Sequence, residues 1–271
     1  MPTETFLVSN RSFTCAPPRG RWRLALWALL LAWALCAGKD GTAQATFNRD
    51  LIVIDPAHGG ANIGAQIGDH LLEKDVTMAM ALRLRSLLAA RGFTILLTRN
   101  GDAALTTDQR AELANRAHAV ACLVLHATAS GTGVHLATST LNATVTTDPG
   151  SPIPWDDAQA AYLSQSQRLA DQIGAAMNRS HLPLITDQAA LRPLDNLMCP
   201  ALSIELAPLA SGDSTPTPVT DPAYQQRINA AIAGALIFWR NQAQPPVMPP
   251  TAPVRGASPA AVPGGVTGAA R

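Results

Sequence analysis

Apolar residues fall along this chain in short blocks of two kinds. Leu51-Ile52-Val53-Ile54 is a run of four branched apolar residues, the pattern of a strand buried on both faces. Phe93 to Thr98, Ala121 to Leu125, Val134 to Thr138 and Ala201 to Leu206 read as further strands. Between them the apolar spacing changes to the helical period. Val76, Met80, Leu84, Leu87 and Leu88 share one face of a helix over about Leu72 to Arg91, which Gly92 stops. Thr106 with Gln109 three residues on forms a capping box, opening a helix that runs to about His118 with Leu113 and Ala117 inward. A long helix is expected from about Asp157 to Asn178, capped by Asp156 or Asp157. A last one starts at Asp221-Pro222 and runs to about Trp239. Strand and helix thus alternate from residue 51 to 240. That predicts an α/β fold: a mostly parallel sheet flanked by helices on both faces, in a single domain.

Both ends of the chain depart from this rhythm. Arg11, Arg19, Arg21 and Arg23 precede an apolar run from Leu24 to Ala37, and a short polar segment then ends in Ala43-Gln44-Ala45. A basic region, an apolar region and a small-x-small site in that order predict a signal peptide over residues 1–45. Two outcomes stand: cleavage after Ala45, or retention as a membrane anchor, although the run is short for a span. After about Asn241 the chain is Pro, Ala, Gly and Val with almost no charge, so residues 241–271 are expected to be a disordered tail. The folded unit is then residues 46–240.

Charge narrows the partners. The 271-residue chain has a formal net charge of +1. Without residues 1–45 it would keep fifteen basic and seventeen acidic residues, a net charge of −2. Neither value provides the basic footprint that nucleic acid requires. Cys122 and Cys199 lie beyond the leader, each in or beside a buried strand. Export would permit a disulfide, but two Cys make no framework, and the reading favoured here is two small buried residues.

The candidate chemistry gathers at strand ends. Asp55-Pro56 stops the first strand and Gly59-Gly60 turns the chain, leaving His58 at a carboxyl edge, where open α/β sheets bind ligands. His126 follows the strand Ala121 to Leu125 directly. If those strands are neighbours, both imidazoles face one crevice. Glu73 enters the first helix nearby and either joins them or serves only the helix dipole. Two His and one carboxylate make the ligand set of a catalytic zinc site with an open fourth position. His70 is a rival ligand. Asp55 either orients His58 as an acceptor or only shapes the turn. Glu205, inside Leu202-Ser203-Ile204-Glu205-Leu206, reads as a buried carboxylate. Desolvation would raise its pKa toward that of a general base; an ion pair with a core Arg such as Arg192 is the alternative. His135 alternates within its strand toward the same groove, His118 suits a helix end, and His181 reads as loop surface.

These residues carry a family resemblance. The stretch from Leu51 to about Trp239 resembles the zinc-dependent N-acetylmuramoyl-L-alanine amidases of bacterial cell walls. Ile54-Asp55-Pro56-Ala57-His58-Gly59-Gly60 looks like the first zinc motif, Glu73-Lys74-Asp75-Val76 the second, and Leu125-His126-Ala127 the third. Leu97-Thr98-Arg99, and Arg110 with Ala114-Asn115, look like two further landmarks, and Pro200 to Glu205 resembles the catalytic strand. The set is specific because it recurs in one order with compatible spacing.

The resemblance implies zinc held by His58, Glu73 and His126, with Glu205 as the catalytic carboxylate. It implies hydrolysis of the amide between N-acetylmuramic acid and the L-alanine of the peptidoglycan stem peptide. Zinc would polarise the carbonyl, and Glu205 would move a proton from the attacking water to the leaving amine. The implied setting is exported, periplasmic or cell-wall associated, with peptidoglycan as partner and an activator protein as a second candidate. Membrane contact is expected only if the leader stays. Ala57, Thr128 and Ala207-Pro208 depart from the family's usual residues, and Asn62 stands where an acidic residue is usual. Those departures support the rival reading, a peptidoglycan-binding protein of the same fold with weak or no catalysis.

Overall fold

The structure is a computed structural model and describes residues 48–142, 154–212 and 214–242. The expected leader and residues 243–271 of the expected tail lie outside these residues, while residues 241 and 242 continue the last helix instead. Among the described residues, no helix is long and apolar enough to cross a membrane.

Among the described residues, ten strands and four α-helices follow in order. β1 is Asn48–Pro56, β2 Gln66–Gly68, β3 Leu71–Leu72, α1 Glu73–Ala89, β4 Thr94–Leu97, α2 Thr107–Ala117, β5 Ala119–Ala127 and β6 Val134–Thr138. A 3-10 turn, Trp155–Tyr162, leads into α3, Leu163–Arg179. β7 is Leu184–Gln188, β8 Ala201–Leu206, β9 Leu209–Ser211, β10 Ser214–Thr217 and α4 Pro222–Gln242.

Six strands form the main sheet in the order β4-β1-β5-β8-β6-β7. The first four are mutually parallel, while β6 runs antiparallel to β8 and parallel to β7. Alternation along the strands feeds two cores. Ile52, Ile54, Leu123, Leu125, Leu202 and Ile204 pack with Val76, Met80, Leu84 and Leu88 of α1, Leu169, Ile173 and Met177 of α3, and Ile228, Ile232 and Leu236 of α4. Val53, Cys122, Val124 and Ala201 face the other way, onto Ala111 and Ala114 of α2 and onto Leu194, Leu197 and Cys199. The helices therefore flank both faces of a mostly parallel sheet, unequally: three long ones on one side, α2 and short turns on the other. Burying one such Leu side chain contributes roughly 1.5–3 kcal/mol.

The local signals worked where they were strong. Thr106 accepts from the Gln109 amide and the Gln109 side chain accepts from the Thr106 amide, which closes the capping box. The expected helix over 157–178 instead starts as a 3-10 turn and becomes α-helical only at Leu163, with no side-chain cap. Cys122 and Cys199 are joined as a disulfide, so the reading of two free buried thiols is corrected. They meet because β5 and β8 are adjacent and Cys122 pairs with Ala201, two positions past Cys199.

Candidate metal centre

The carboxyl edge of β1 and β5 is held by buried cations. Pro56 ends β1, and His58, Gly59 and Gly60 follow with φ of 64°, 132° and 58°. A left-handed conformation costs a non-glycine residue like His58 about 1–3 kcal/mol unless its surroundings impose it. Two guanidiniums do so. Arg110 on α2 donates to the carbonyls of Pro56 at 2.9 Å and His58 at 2.5 Å, and pairs with Asp55 at 2.6 Å. Arg99, just past β4, donates to the carbonyls of Pro56, Ala57 and Lys74 at 2.8, 3.1 and 2.7 Å. Both Arg are buried. Arg99 and Arg110, two of the residues that carry the resemblance, thus fix the loop that carries His58.

His58 Nε2 lies 3.0 Å from Glu73 Oε2, and His126 Nδ1 lies 2.9 Å from Glu73 Oε1. The two rings stand edge to face with centroids 5.5 Å apart. One ligand atom from each of His58, Glu73 and His126 can be chosen so that all lie within 4.8 Å of one another. Burial works against a charged Glu73. Hydrogen bonds with His126 and His58, and from the amides of Ala65 and Ala127, nevertheless hold it well below the usual carboxylate range. The bond to Glu73 raises the His58 pKa, against the effect of burial. A carboxylate flanked by two imidazole nitrogens calls for positive charge between them, a proton or a metal ion.

The tautomer of His58 favours the metal. Asn62 Oδ1 lies 2.9 Å from His58 Nδ1 and also accepts from the amide of Gly64 at 3.3 Å. An oxygen that accepts from a backbone N–H makes Nδ1 the hydrogen-bearing nitrogen, leaving the Nε2 lone pair for an ion. Gly64 closes the cradle: at its φ of +68°, a Cβ would fall 2.6 Å from both Glu73 Oε2 and His58 Cδ2. The donor set and this tight packing fit zinc. His70 is not part of the cluster. Asp55 does not orient His58; it is taken up by Arg110 and Thr98. Asn62 has the orienting place instead, and its position four residues after His58 in a Gly-rich loop was the available signal.

Glu205 pairs in register with His126 across β5 and β8, so both side chains share the thinly covered face. It is not the buried, desolvated carboxylate expected. Its side chain is 41% exposed, because the β8 pattern alternates and only Leu202, Ile204 and Leu206 point into the large core. Nor does it pair with Arg192, which is bound to Asp156 at 2.6 Å. Its partner is His135 of β6, whose Nδ1 is 3.3 Å away. Asn115 holds the approach to β8 by donating to the Asn196 carbonyl and accepting from the Met198 amide.

Residues 52–237 match the family described as N-acetylmuramoyl-L-alanine amidase. The chain is 28% identical over 221 residues to a germination-specific N-acetylmuramoyl-L-alanine amidase of Bacillus subtilis, covering 72% of this chain and 82% of that one. It spans less than half the length of the AmiA and AmiC amidases it also matches. Its fold is similar to the catalytic domain of CwlV, an amidase from Bacillus (Paenibacillus) polymyxa var. colistinus, with a TM-score of 0.54, 19% identity, and coverage of 71% of this chain and 98% of that one. It is also similar to the CwlD amidase of Clostridioides difficile, solved in complex with the GerS lipoprotein, with a TM-score of 0.51, 19% identity and coverage of 71% and 98%.

Proposed function

The chain belongs to the N-acetylmuramoyl-L-alanine amidase family, and on that premise we propose that it cuts stem peptides from peptidoglycan with a zinc ion held by His58, Glu73 and His126 and with Glu205 as the proton-transfer group. The observation that carries this reading is the Glu73 carboxylate set between two imidazole nitrogens at 3.0 and 2.9 Å, with Glu205 in register beside His126. When bound, zinc supplies a Lewis acid for the scissile carbonyl and acidifies the attacking water. Asn62 keeps His58 in the ligating tautomer. The Ala65 and Ala127 amides hold Glu73 ionised for the metal. Glu205 takes the proton from water and returns it to the departing amine of L-alanine, with no net change in its own charge.

Export is part of the proposal. A disulfide between two buried Cys suits an oxidising compartment, and the substrate lies outside the cytoplasmic membrane. The protein complexed with a lipoprotein among its structural neighbours makes an activator partner a coherent extension.

The test is incubation of the zinc-loaded protein with purified peptidoglycan, beside a Glu205→Ala control, with fragments identified by mass spectrometry. Stem peptides beginning with L-alanine, absent in the control and after chelation, are the expected result. Wall pulled down without any peptide release would overturn the catalytic reading and leave a wall-binding protein.

A further inference from the structure

Glu205 has a neighbour on each side in one cross-strand row. His126 is its partner on β5 and His135 its partner on β6. His135 in turn pairs with Ile185 on β7, which carries no charge, so His126 and Glu205 are the ionisable groups that share this row with His135. His135 sits in a built position. Its Nδ1 is 3.3 Å from Glu205 Oε2 and its Nε2 is 3.2 Å from the Thr132 carbonyl. Its ring lies against the bare face of Gly131, where a Cβ would approach Cε1 to 3.3 Å, at a φ of +80°. Thr132 is anchored in its own right, its hydroxyl oxygen accepting from the Ala210 amide at 2.9 Å.

A carbonyl oxygen only accepts, so Nε2 of His135 carries hydrogen. Nδ1 is then the ring atom turned to the carboxylate, and the Nε2–H on the Thr132 carbonyl fixes the ring in that orientation. A Glu side chain as exposed as Glu205 would otherwise spread over several rotamers.

We propose that His135 is a positioning residue for Glu205, holding one carboxylate oxygen so that the other is presented to the reacting amide. The inference rests on the reading of Glu205 as the proton-transfer group. Fixing that group in place before reaction lowers the entropic part of the barrier and leaves substrate binding unchanged.

The experiment uses the full zinc-loaded chain and peptidoglycan fragments, with kcat, KM, bound zinc and Tm measured for His135→Phe, His135→Gln, Glu205→Ala and the Phe/Ala double variant. His135→Phe is expected to lower kcat roughly tenfold or more with KM and zinc content unchanged. His135→Gln, whose amide N–H can still meet the carboxylate, should recover most of that loss. In the Glu205→Ala background, His135→Phe should cost nothing further. Unchanged kcat in His135→Phe, with Glu205→Ala inactive, overturns this inference and spares the reading of Glu205. Full activity in Glu205→Ala overturns that reading itself. Equal losses in the Phe and Gln variants, accompanied by lost zinc or a lower Tm, would mean a structural role and also overturn the inference.

Discussion

Arg110 and Asp55 form a buried ion pair at 2.6 Å at the point where β1 gives way to the His58 turn. The same guanidinium holds the His58 carbonyl, so the pair couples core stability to the geometry of a proposed zinc ligand. Replacing Arg110 by Leu would leave Asp55 charged, buried and bound by Thr98 alone. The expected cost is about 3–5 kcal/mol, together with weaker zinc binding. Denaturant unfolding and zinc titration of Arg110→Leu check this; a loss under about 1 kcal/mol would refute the coupling.

Gly64 offers a cleaner separation of site from fold. In Gly64→Ala the new methyl would collide with Glu73 and His58, and both Glu73 and the loop would have to shift. Zinc affinity should fall about 10–100-fold while the helical circular dichroism is retained. Tight zinc binding by Gly64→Ala would show that the cradle yields to a methyl group and would overturn this prediction.

Stability should depend on pH with opposite sign in the presence and absence of metal. Glu73 raises the His58 pKa in the folded protein, so in metal-free protein this pair stabilises at pH values below the unfolded His pKa, and the contribution fades as pH rises through the folded value. The depressed Glu73 pKa adds stability above the ordinary carboxylate pKa that is lost on further acidification. Zinc competes with the His58 proton, so its stabilisation grows as pH rises. The Tm difference between zinc-loaded and chelated protein should therefore widen from about pH 5 to pH 8. A difference that is flat or narrows over that range would contradict the assignment of His58 as a ligand.

The disulfide closes a sequence separation of 77 residues. Chain-entropy arguments give such a loop about 4 kcal/mol. The double variant Cys122→Ala with Cys199→Ala should lose stability of that order in chemical denaturation. If activity per folded molecule is also lost, the bond sets the β5–β8 register that pairs His126 with Glu205; if only stability falls, the strands keep that register by themselves.

Much of the site was legible because its signals are local. His58 is announced by a strand stop and a Gly-Gly turn, Glu73 by a helix entry, and the face of α1 by its period. Lost were the features that depend on which strands lie side by side. Cys122 and Cys199 become partners only through β5–β8 adjacency. β7 has residues that are almost all exposed, so it shows no apolar run. Leu-Ser-Ile-Glu-Leu reads as a buried run because it is mostly apolar, but the exposure of Glu205 is decided by how little of its face α2 covers. Asn62 and His135 were visible as residues, but their partners are set by loop geometry and by strand direction.

That direction has a consequence of its own. Because β6 returns antiparallel beside β8, its second residue arrives at the end of the sheet where β8 finishes, and both flanks of Glu205 come from the single segment 126–135. The loop bearing His58, Asn62 and Gly64 and the helix bearing Glu73 belong to a different stretch of chain. Apart from His126, the ligand at the head of that segment, the groups that would hold the ion and those that flank the proposed proton carrier lie in different passages of sequence, so exchanging residues 128–135 between relatives is a route to altered turnover that leaves all three ligands in place.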